Sequence, residues 1–173
     1  MILAVDMKKY SLDNVFFNEQ QKNSINETNF IRFIYSSKIF SLQGICISFD
    51  LYTLSLELLQ NQHNKYKCIF SISENNHIIQ SIKELEFNLL KQVYFHHFHI
   101  NKIPNYKLYE QFQNGEIKLF KPLNTICPFD SIKKTENNNL YSIKNTHTII
   151  IKISGIWSSN DYFGLTYKLL TPN

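Results

Sequence analysis

The sequence predicts a single, mainly β domain of the α+β class, with one amphipathic helix inserted after the third strand. Three observations support this fold class. The 173 residues match the size of one domain, and no linker or internal repeat divides residues 1–173. Three segments in the first half have the composition of strands. Residues 78–93, in contrast, place their apolar side chains at helical spacing.

The predicted strands before the helix are separated by polar sequence. A short opening strand is compatible with residues 2–5, and the polar stretch 18–29 predicts a loop. Strands are then predicted at residues 30–36, 37–54 and 65–72. The second of these alternates, with a predicted buried face of Ile45, Ile47, Phe49 and Leu51. The third alternates in the same way, with a predicted buried face of Tyr66, Cys68, Phe70 and Ile72. Consecutive strands of this kind favour an antiparallel meander.

The predicted helix has one apolar stripe, formed by Ile78, Ile82, Leu85, Leu89 and Val93. Ser73 or Asn75 is a candidate N-cap. The charged side chains between the apolar positions are expected to face water, and they are Lys83, Glu84, Glu86 and Lys91. Glu84 and Glu86 are two residues apart and point in different directions, so they are interpreted as surface charges rather than a carboxylate pair.

The second half of the chain is less regular until its end. Residues 106–113 are compatible with a short helix or a strand, and residues 121–145 predict a long exposed connection. Residues 149–157 and 161–170 predict a hairpin. The core face of its second strand is expected to carry Phe163, Leu165, Tyr167 and Leu169. The opposite face carries Tyr162, Thr166 and Lys168.

No sequence motif of a known enzyme class is present. The chain has no glycine-rich phosphate loop, no nucleophile elbow and no zinc-protease motif. We therefore expect a protein that binds rather than catalyses, with no cofactor. His96, His97 and His99 could bind a metal, with His63 or His77 as a fourth ligand, but a solvated loop is the simpler interpretation.

Cysteine usage and the start of the chain indicate an intracellular protein. Cys46, Cys68 and Cys127 are widely spaced and odd in number, which is typical of reduced core thiols. The opening MILAVDMKKY lacks a signal peptide, and no apolar run is long enough to cross a membrane. The net charge of +4 indicates an anionic partner only weakly, since abundant Lys, Ile and Asn beside a single Arg are typical of an AT-rich genome.

The C-terminal hairpin carries the candidate binding site. Trp157 and Tyr162 lie near Lys152 and Lys168 in the predicted hairpin. Aromatic rings interleaved with cations are typical of proteins that bind single-stranded nucleic acid, since bases stack on rings while cations contact phosphates. The full set of candidate residues is Arg32, Tyr35, Lys38, Lys152, Trp157, Tyr162 and Lys168. The direction of the Trp157 side chain stays open, because Gly155 could introduce a bulge.

The hairpin sequence IKISGIWSSNDYFGLTYKLL also resembles the closing motif of a small protein family of nucleocytoplasmic large DNA viruses. The matching residues are Gly155, Ile156, Trp157, Gly164, Thr166 and Lys168. The order of elements is similar to an OB-fold barrel, as in the single-stranded DNA-binding proteins of the phage T7 type. This resemblance implies an OB-like antiparallel barrel that binds replicating DNA without sequence preference, in the host cytoplasm or nucleus or packaged in the virion. The acidic C-terminal tail of the phage proteins is missing, because the chain ends LLTPN.

Three hypotheses about function follow. The leading one is a non-catalytic protein that binds single-stranded DNA in viral-type DNA replication. The alternative is a virion structural or assembly protein, such as a minor capsid protein or a subunit of a large complex, which binds itself or other viral proteins through its aromatic surface. An enzyme with an unfamiliar site is the third.

Overall fold

The computed structural model describes residues 3–23, 28–58, 65–97, 102–120 and 140–172. The strands before the first helix are β1 (Val5–Asp6), β2 (Val15–Phe17), β3 (Gln21–Asn23), β4 (Thr28–Ser36), β5 (Ser41–Gln43), β6 (Ile45–Leu58) and β7 (Lys65–Phe70). The remaining elements are α1 (Asn76–His97), β8 (Ile103–Asn105), α2 (Lys107–Gln113), β9 (Glu116–Phe120), β10 (Leu140–Ser158) and β11 (Tyr162–Leu170). The helix α1 follows β7, the third long strand, as predicted.

Five strands close into a barrel. The ring runs β6–β7–β9–β11–β10 and returns to β6, because β10 pairs with both β11 and β6. Neighbours are antiparallel except for β9 and β11, which run parallel. A closed, five-stranded barrel with inserted helices is an OB-like fold. The predicted fold class is therefore confirmed, with one parallel pairing that the sequence did not indicate.

Strands β2, β3 and β5 pair with β4, and we call these four strands the N-terminal layer. The first half of β4 pairs with β10 and β3, whereas its second half pairs with β2 and β5. On β10, pairing with β6 ends at Ile153 and pairing with β4 begins at Gly155, so the strand changes neighbours around Ser154. The barrel and the N-terminal layer thus meet at the irregularity in β10.

The apolar stripe of α1 packs on the barrel as the spacing predicted. Ile78, Ile82, Leu85, Leu89 and Val93 are all buried in the core. Of the two predicted N-cap residues, Asn75 precedes α1 and its carbonyl accepts the first helical hydrogen bond, from the Ile79 N–H at 3.0 Å, but its side chain bonds elsewhere. The side chain of Asn75 is buried and accepts a hydrogen bond from the Tyr52 backbone N–H at 2.8 Å, while its amide donates to the carbonyls of Tyr52 at 2.9 Å and Ser71 at 2.7 Å. Asn75 therefore joins the start of α1 to strand β6.

Residues 107–113 form a helix, which settles the open alternative for that segment. Its Phe112 is buried, and its ring centroid lies 5.8 Å from that of Phe49 and 5.6 Å from that of Phe70. These contacts seat α2 against the barrel core. The described residues therefore contain two α-helices, the predicted α1 and the short helix that was left open as an alternative.

Glu86 corrects the prediction that the charged residues of α1 all face water. Its side chain is 0% exposed and accepts hydrogen bonds from the backbone N–H groups of Leu108 at 3.2 Å and Tyr109 at 2.7 Å. These are N–H groups in the first turn of α2, which lack partners inside their own helix. Burial raises the pKa of the Glu86 carboxyl to about 7, although the two hydrogen bonds oppose the shift. Glu86 thus caps α2 from the side of α1.

Some predicted boundaries differ from the structure. The predicted loop at 18–29 contains strand β3 and the first residues of β4, so that part of the prediction is wrong. Residues 140–145 of the predicted connection 121–145 belong to β10, and the rest lies outside the described residues. Ile72 lies beyond the end of β7 and is exposed, although its spacing predicted a buried position.

Candidate nucleic-acid interface

The outward face of β10 and β11 brings two of the predicted cations together. Lys152 and Lys168 are direct partners in the antiparallel register, and both side chains are exposed. Directly opposed residues on one face have Cβ atoms about 5 Å apart. Isoleucines at 151 and 153 point inward and are fully buried, which orients Lys152 outward. The alternation predicted from the sequence therefore places both lysines correctly.

Arg32 reaches the same face from the N-terminal layer. It is the register partner of Gly155 on β10 and its side chain is exposed. Arg32 and Lys152 line one groove of about 350 Å³, together with Phe30 and Ser154 from the same two strands and Gln43 and Gly44 at the end of β5. None of the described residues lining this groove is acidic. The groove thus presents two cations and one aromatic ring to the same volume.

Two glycines allow the strands to approach closely at this groove. A Cβ atom at Gly155 would lie 2.1 Å from the Ile31 carbonyl oxygen and 2.8 Å from the Phe30 ring. Gly44 has a φ of 83°, and a Cβ there would lie 2.7 Å from the Ile153 carbonyl oxygen. Neither contact is possible for a residue with a side chain. The glycines therefore fix the junction between the barrel and the N-terminal layer.

Aromatic side chains continue the interface along β10. Trp157 pairs with Phe30 on β4 and with Gly164 on β11. Its indole lies over Gly164, because a Cβ atom at Gly164 would be 3.2 Å from the indole Nε1 and Cζ2 atoms. Tyr162 is on the same face of β11, two residues before Gly164, and is 47% exposed. This diagonal placement separates Trp157 and Tyr162 by roughly 7 Å. The open question about Trp157 is thus answered: its side chain is half-buried on the outward face.

Two further cations, on β7 and β9, lie farther around the barrel and were not among the predicted interface residues. Lys168 and Lys65 approach one ring, with their Nζ atoms 5.7 Å and 5.1 Å from the Phe120 centroid. Lys118 is exposed on the neighbouring outward position of β9. These cations meet around Phe120 because β9 pairs in parallel with β11, and no local sequence pattern predicts that pairing. We call the cations Arg32, Lys152, Lys168, Lys65 and Lys118 the basic stripe.

One carboxylate, that of Glu116, lies on the outward side of β9 with Lys118 and Phe120. Among the described residues, Lys67 and Glu116 form an ion pair, and the distance from the Lys67 Nζ to the Glu116 Oε2 is 2.7 Å. Hydrogen bonding to Glu116 and the nearby charges of Glu116 and Glu57 raise the pKa of Lys67. Lys67 is therefore left out of the basic stripe, because its charge is balanced locally.

Two of the predicted interface residues lie elsewhere. Tyr35 is only 2% exposed, stacks between Tyr10 and Phe40, and its hydroxyl accepts a hydrogen bond from Asn14 at 3.2 Å. Tyr35 is therefore a core residue, and its predicted role in stacking on bases is wrong. Lys38 is exposed in the turn between β4 and β5. About 13 Å of strand separates Arg32 from Ser36, so Lys38 lies outside the groove.

The thiols at Cys46 and Cys68 are buried, as the core interpretation predicted, and Cys127 lies outside the described residues. Burial raises the pKa of both thiols, that of Cys68 to about 12, while the nearby Lys152 opposes the shift at Cys46. Both thiols are therefore poor nucleophiles at neutral pH.

The remaining candidate groups are possible metal ligands and possible catalytic side chains. The side chains of His96, His97 and His99 lie outside what the structure describes. Elsewhere, the described residues contain no cluster of His, Cys, Asp and Glu suited to a metal ion. Asp6, Asp50 and His77 line a separate cleft of about 340 Å³. There Asp6 accepts a hydrogen bond from the Lys8 backbone and Asp50 one from the Thr148 hydroxyl, so both carboxylates have structural partners.

The fold and the interface together define an OB-like barrel protein with a basic, aromatic outward face. Comparison with protein-family models, with curated proteins and with solved structures found no match to the chain. Across the described residues, neither helix is both long and apolar enough to cross a membrane.

Proposed function

We propose that this protein binds single-stranded DNA on its outward barrel face, as a non-catalytic component of viral-type DNA replication. The observation that carries the proposal is the groove where Arg32 of β4 and Lys152 of the neighbouring strand β10 meet beside Phe30. The replication role rests on the resemblance of the C-terminal hairpin to proteins of large DNA viruses. Many OB barrels bind oligonucleotides on the face of their second and third strands and on adjoining loops. In this barrel those strands are β7 and β9, which carry Lys65 and Lys118 of the basic stripe.

Electrostatics support a polyanionic ligand. The cations of the basic stripe come from five strands, β4, β10, β11, β9 and β7, that are neighbours in the sheet. Adjacent strands are about 4.8 Å apart, so the stripe follows roughly 19 Å of the curved barrel wall, from β4 round to β7. A single strand that wraps around the barrel along this path would meet cations repeatedly. This arrangement neutralises several phosphates at once and releases their counterions.

The aromatic side chains supply the second requirement, contact with bases. Trp157 and Tyr162 share the outward face, and the Phe30 ring lines the adjoining groove. Every base has a face that can stack on a ring, so such contacts are tolerant of sequence. A cationic stripe beside these rings suits an unpaired strand better than a duplex, whose bases are already stacked.

The proposal is tested by titrating the protein with oligo-dT and monitoring tryptophan fluorescence. Trp157 is the only tryptophan, so the signal reports directly on the interface. We expect quenching on binding and an affinity that falls steeply with salt, with a logarithmic slope of about −0.7 for each phosphate neutralised. Unchanged emission at micromolar protein and low salt would falsify the proposal.

Charge variants separate the groove from the overall net charge. The double variant R32Q/K152Q should weaken binding and make the salt slope shallower by about 1.4, because two phosphate contacts are lost. The control variant K9Q/K107Q removes the same charge from exposed positions outside the interface. It should leave both the affinity and the slope close to those of the wild-type protein. Equal losses in the two double variants would show that binding depends only on net charge.

A role in protein assembly is the second candidate. The observation that favours it is a group of exposed apolar side chains on the second half of α1 and on β8, including Phe87, Phe95 and Ile103. Such patches often mark contacts between proteins. Light scattering over a range of protein concentrations, with and without oligo-dT, distinguishes the two. Self-association without any response to the oligonucleotide would favour assembly.

A further inference from the structure

A second groove lies between α1 and β8 and is also lined by Phe163 of β11; none of its lining residues belongs to the proposed nucleic-acid interface. It has a volume of about 340 Å³ and is lined mainly by aromatic side chains, with Pro104 at its edge. Phe87 stacks on Tyr106, with ring centroids 6.4 Å apart, and Tyr94 stacks on Phe163 at 6.2 Å. In each pair, one ring belongs to α1 and the other lies on or beside the strands opposite. The walls of this α1–β8 groove are therefore held in place by ring contacts.

The helical spacing of α1 lines the groove with consecutive turns. Phe87, Lys91, Tyr94 and Phe95 are four, seven and eight residues along from the first, so they share one face of the helix. Phe87 is 49% exposed and Phe95 is 64% exposed. The exposed rings follow one side of the helix over slightly more than two turns. The groove volume of about 340 Å³ is at the small end of ligand-sized clefts, so we expect it to hold one bulky side chain and its neighbours.

The charges at the groove have one sign. Lys91 and Lys102 both line it, and the described lining contains no Asp or Glu. The Nζ of Lys91 lies 5.9 Å from the Phe87 centroid, and the Nζ of Lys102 donates a hydrogen bond to the Ser159 carbonyl at 2.6 Å. Both ammonium groups are thus held beside the aromatic lining. A ligand with a negative charge next to an apolar side chain would complement this arrangement.

We infer that the α1–β8 groove binds a short acidic segment of a partner protein through a bulky apolar anchor. The anchor would pack between the ring pairs, and flanking carboxylates would approach Lys91 and Lys102. Apolar anchors in a helix-lined groove are a common mode of peptide recognition. A second copy of this chain is disfavoured, because a symmetric contact would bring four lysines together. The inference does not depend on nucleic-acid binding by the barrel face.

The test uses a fluorescein-labelled peptide of about ten residues with a Phe-Leu pair flanked by glutamates, followed by anisotropy with the full-length protein. Two comparison peptides replace the glutamates by lysines, or Phe-Leu by Ala-Ala. We expect saturable binding of the acidic peptide below about 1 mM and at least tenfold weaker binding of both comparison peptides. Absence of saturable binding, or equal binding of the acidic and basic peptides, overturns the inference.

Matched variants locate the binding. F95S and K91E should each weaken the acidic peptide by about tenfold. Their controls are F16S and K9E, because Phe16 is 52% exposed on β2 and Lys9 is also exposed, both remote from the groove. All four positions are on the surface, so circular dichroism should show folded protein in each case. A loss that is equal in F95S and F16S would place the peptide elsewhere. Displacement of the peptide by oligo-dT from the wild-type protein, but not from R32Q/K152Q, would assign the peptide to the barrel face.

Discussion

Side-chain direction within each strand decides which residues reach the interface. Lys152, Tyr162 and Lys168 alternate with buried apolar residues, so their outward direction follows from the sequence. Tyr35 follows the same kind of alternation, but it lies on the buried side of β4, together with Ile31 and Phe33. A tyrosine fits either face, because its ring is apolar and its hydroxyl needs only one partner. The predicted role of Tyr35 failed for this reason.

Glu86 shows what a sequence pattern does not reveal about charge. Its position on the helix stripe is next to Leu85, and α2 covers it only in the folded chain. The buried carboxyl has a raised pKa of about 7, compared with an ordinary value of 4.5. The folded state therefore binds a proton more tightly than the unfolded chain. Stability from this group is fully present below about pH 4.5 and is lost as the pH rises toward 7.

This linkage predicts a specific effect of E86Q. The free energy of unfolding of the wild-type protein, relative to E86Q, should fall by about 2 kcal/mol between pH 5 and pH 8. The comparison cancels other titrating groups, because both proteins share them. Urea unfolding at a series of pH values measures it. A difference between the proteins that is constant with pH would contradict a raised pKa at Glu86.

The elements themselves were largely predictable, but their connections were not. The stripe of α1 and the C-terminal hairpin follow from local spacing, and both agree with the structure. The neighbours of β10 depend on contacts between distant parts of the chain. This strand spans 19 residues and contacts β6, β11 and β4 in turn. Lys152 was predicted to be exposed, but its meeting with Arg32 requires this exchange of neighbours.

The junction between α1 and the barrel gives a prediction for Asn75. The variant N75A would leave the buried backbone N–H and carbonyl of Tyr52 without their side-chain partner. We expect a loss of about 2 to 3 kcal/mol in the free energy of unfolding. The control N76A changes the exposed neighbouring asparagine, the first residue of α1, and should cost less than about 1 kcal/mol. Chemical denaturation compares them, and equal losses would argue against the link to β6.

In the whole molecule, closure of the barrel separates a stable part from a more weakly held one. Strands β6 and β10 each have partners on both sides, and the residues in their central parts that point into the barrel are fully buried. Strands β2 and β3 pair only with β4. The fold class was predictable because periodicity and length indicate the number and type of elements. The closing pair β6–β10 was not, since its partners are up to 108 residues apart in sequence at Ile45 and Ile153.

Hydrogen exchange should follow this division. Amides of Ile47, Leu51 and Ile151 are expected to exchange only on global unfolding, because they lie in the closed ring. Amides of β2 and β3 should exchange through smaller openings and at least about tenfold faster. Exchange measured by NMR in native buffer tests this. Equal protection in both regions would mean that the N-terminal layer and the barrel unfold as one unit.

The lengths of the outer strands have a consequence for solubility during folding. Each described strand that has a single partner, namely β1, β2, β3, β5 and β8, is only two or three residues long. Unpaired backbone groups at a long sheet edge can recruit another chain and start aggregation. Here each long described strand has partners on both sides over part of its length, although residues 140–149 of β10 pair with β6 alone. Insertions that lengthen the short edge strands β3 or β5 would add to the open edge, and we expect them to favour aggregation.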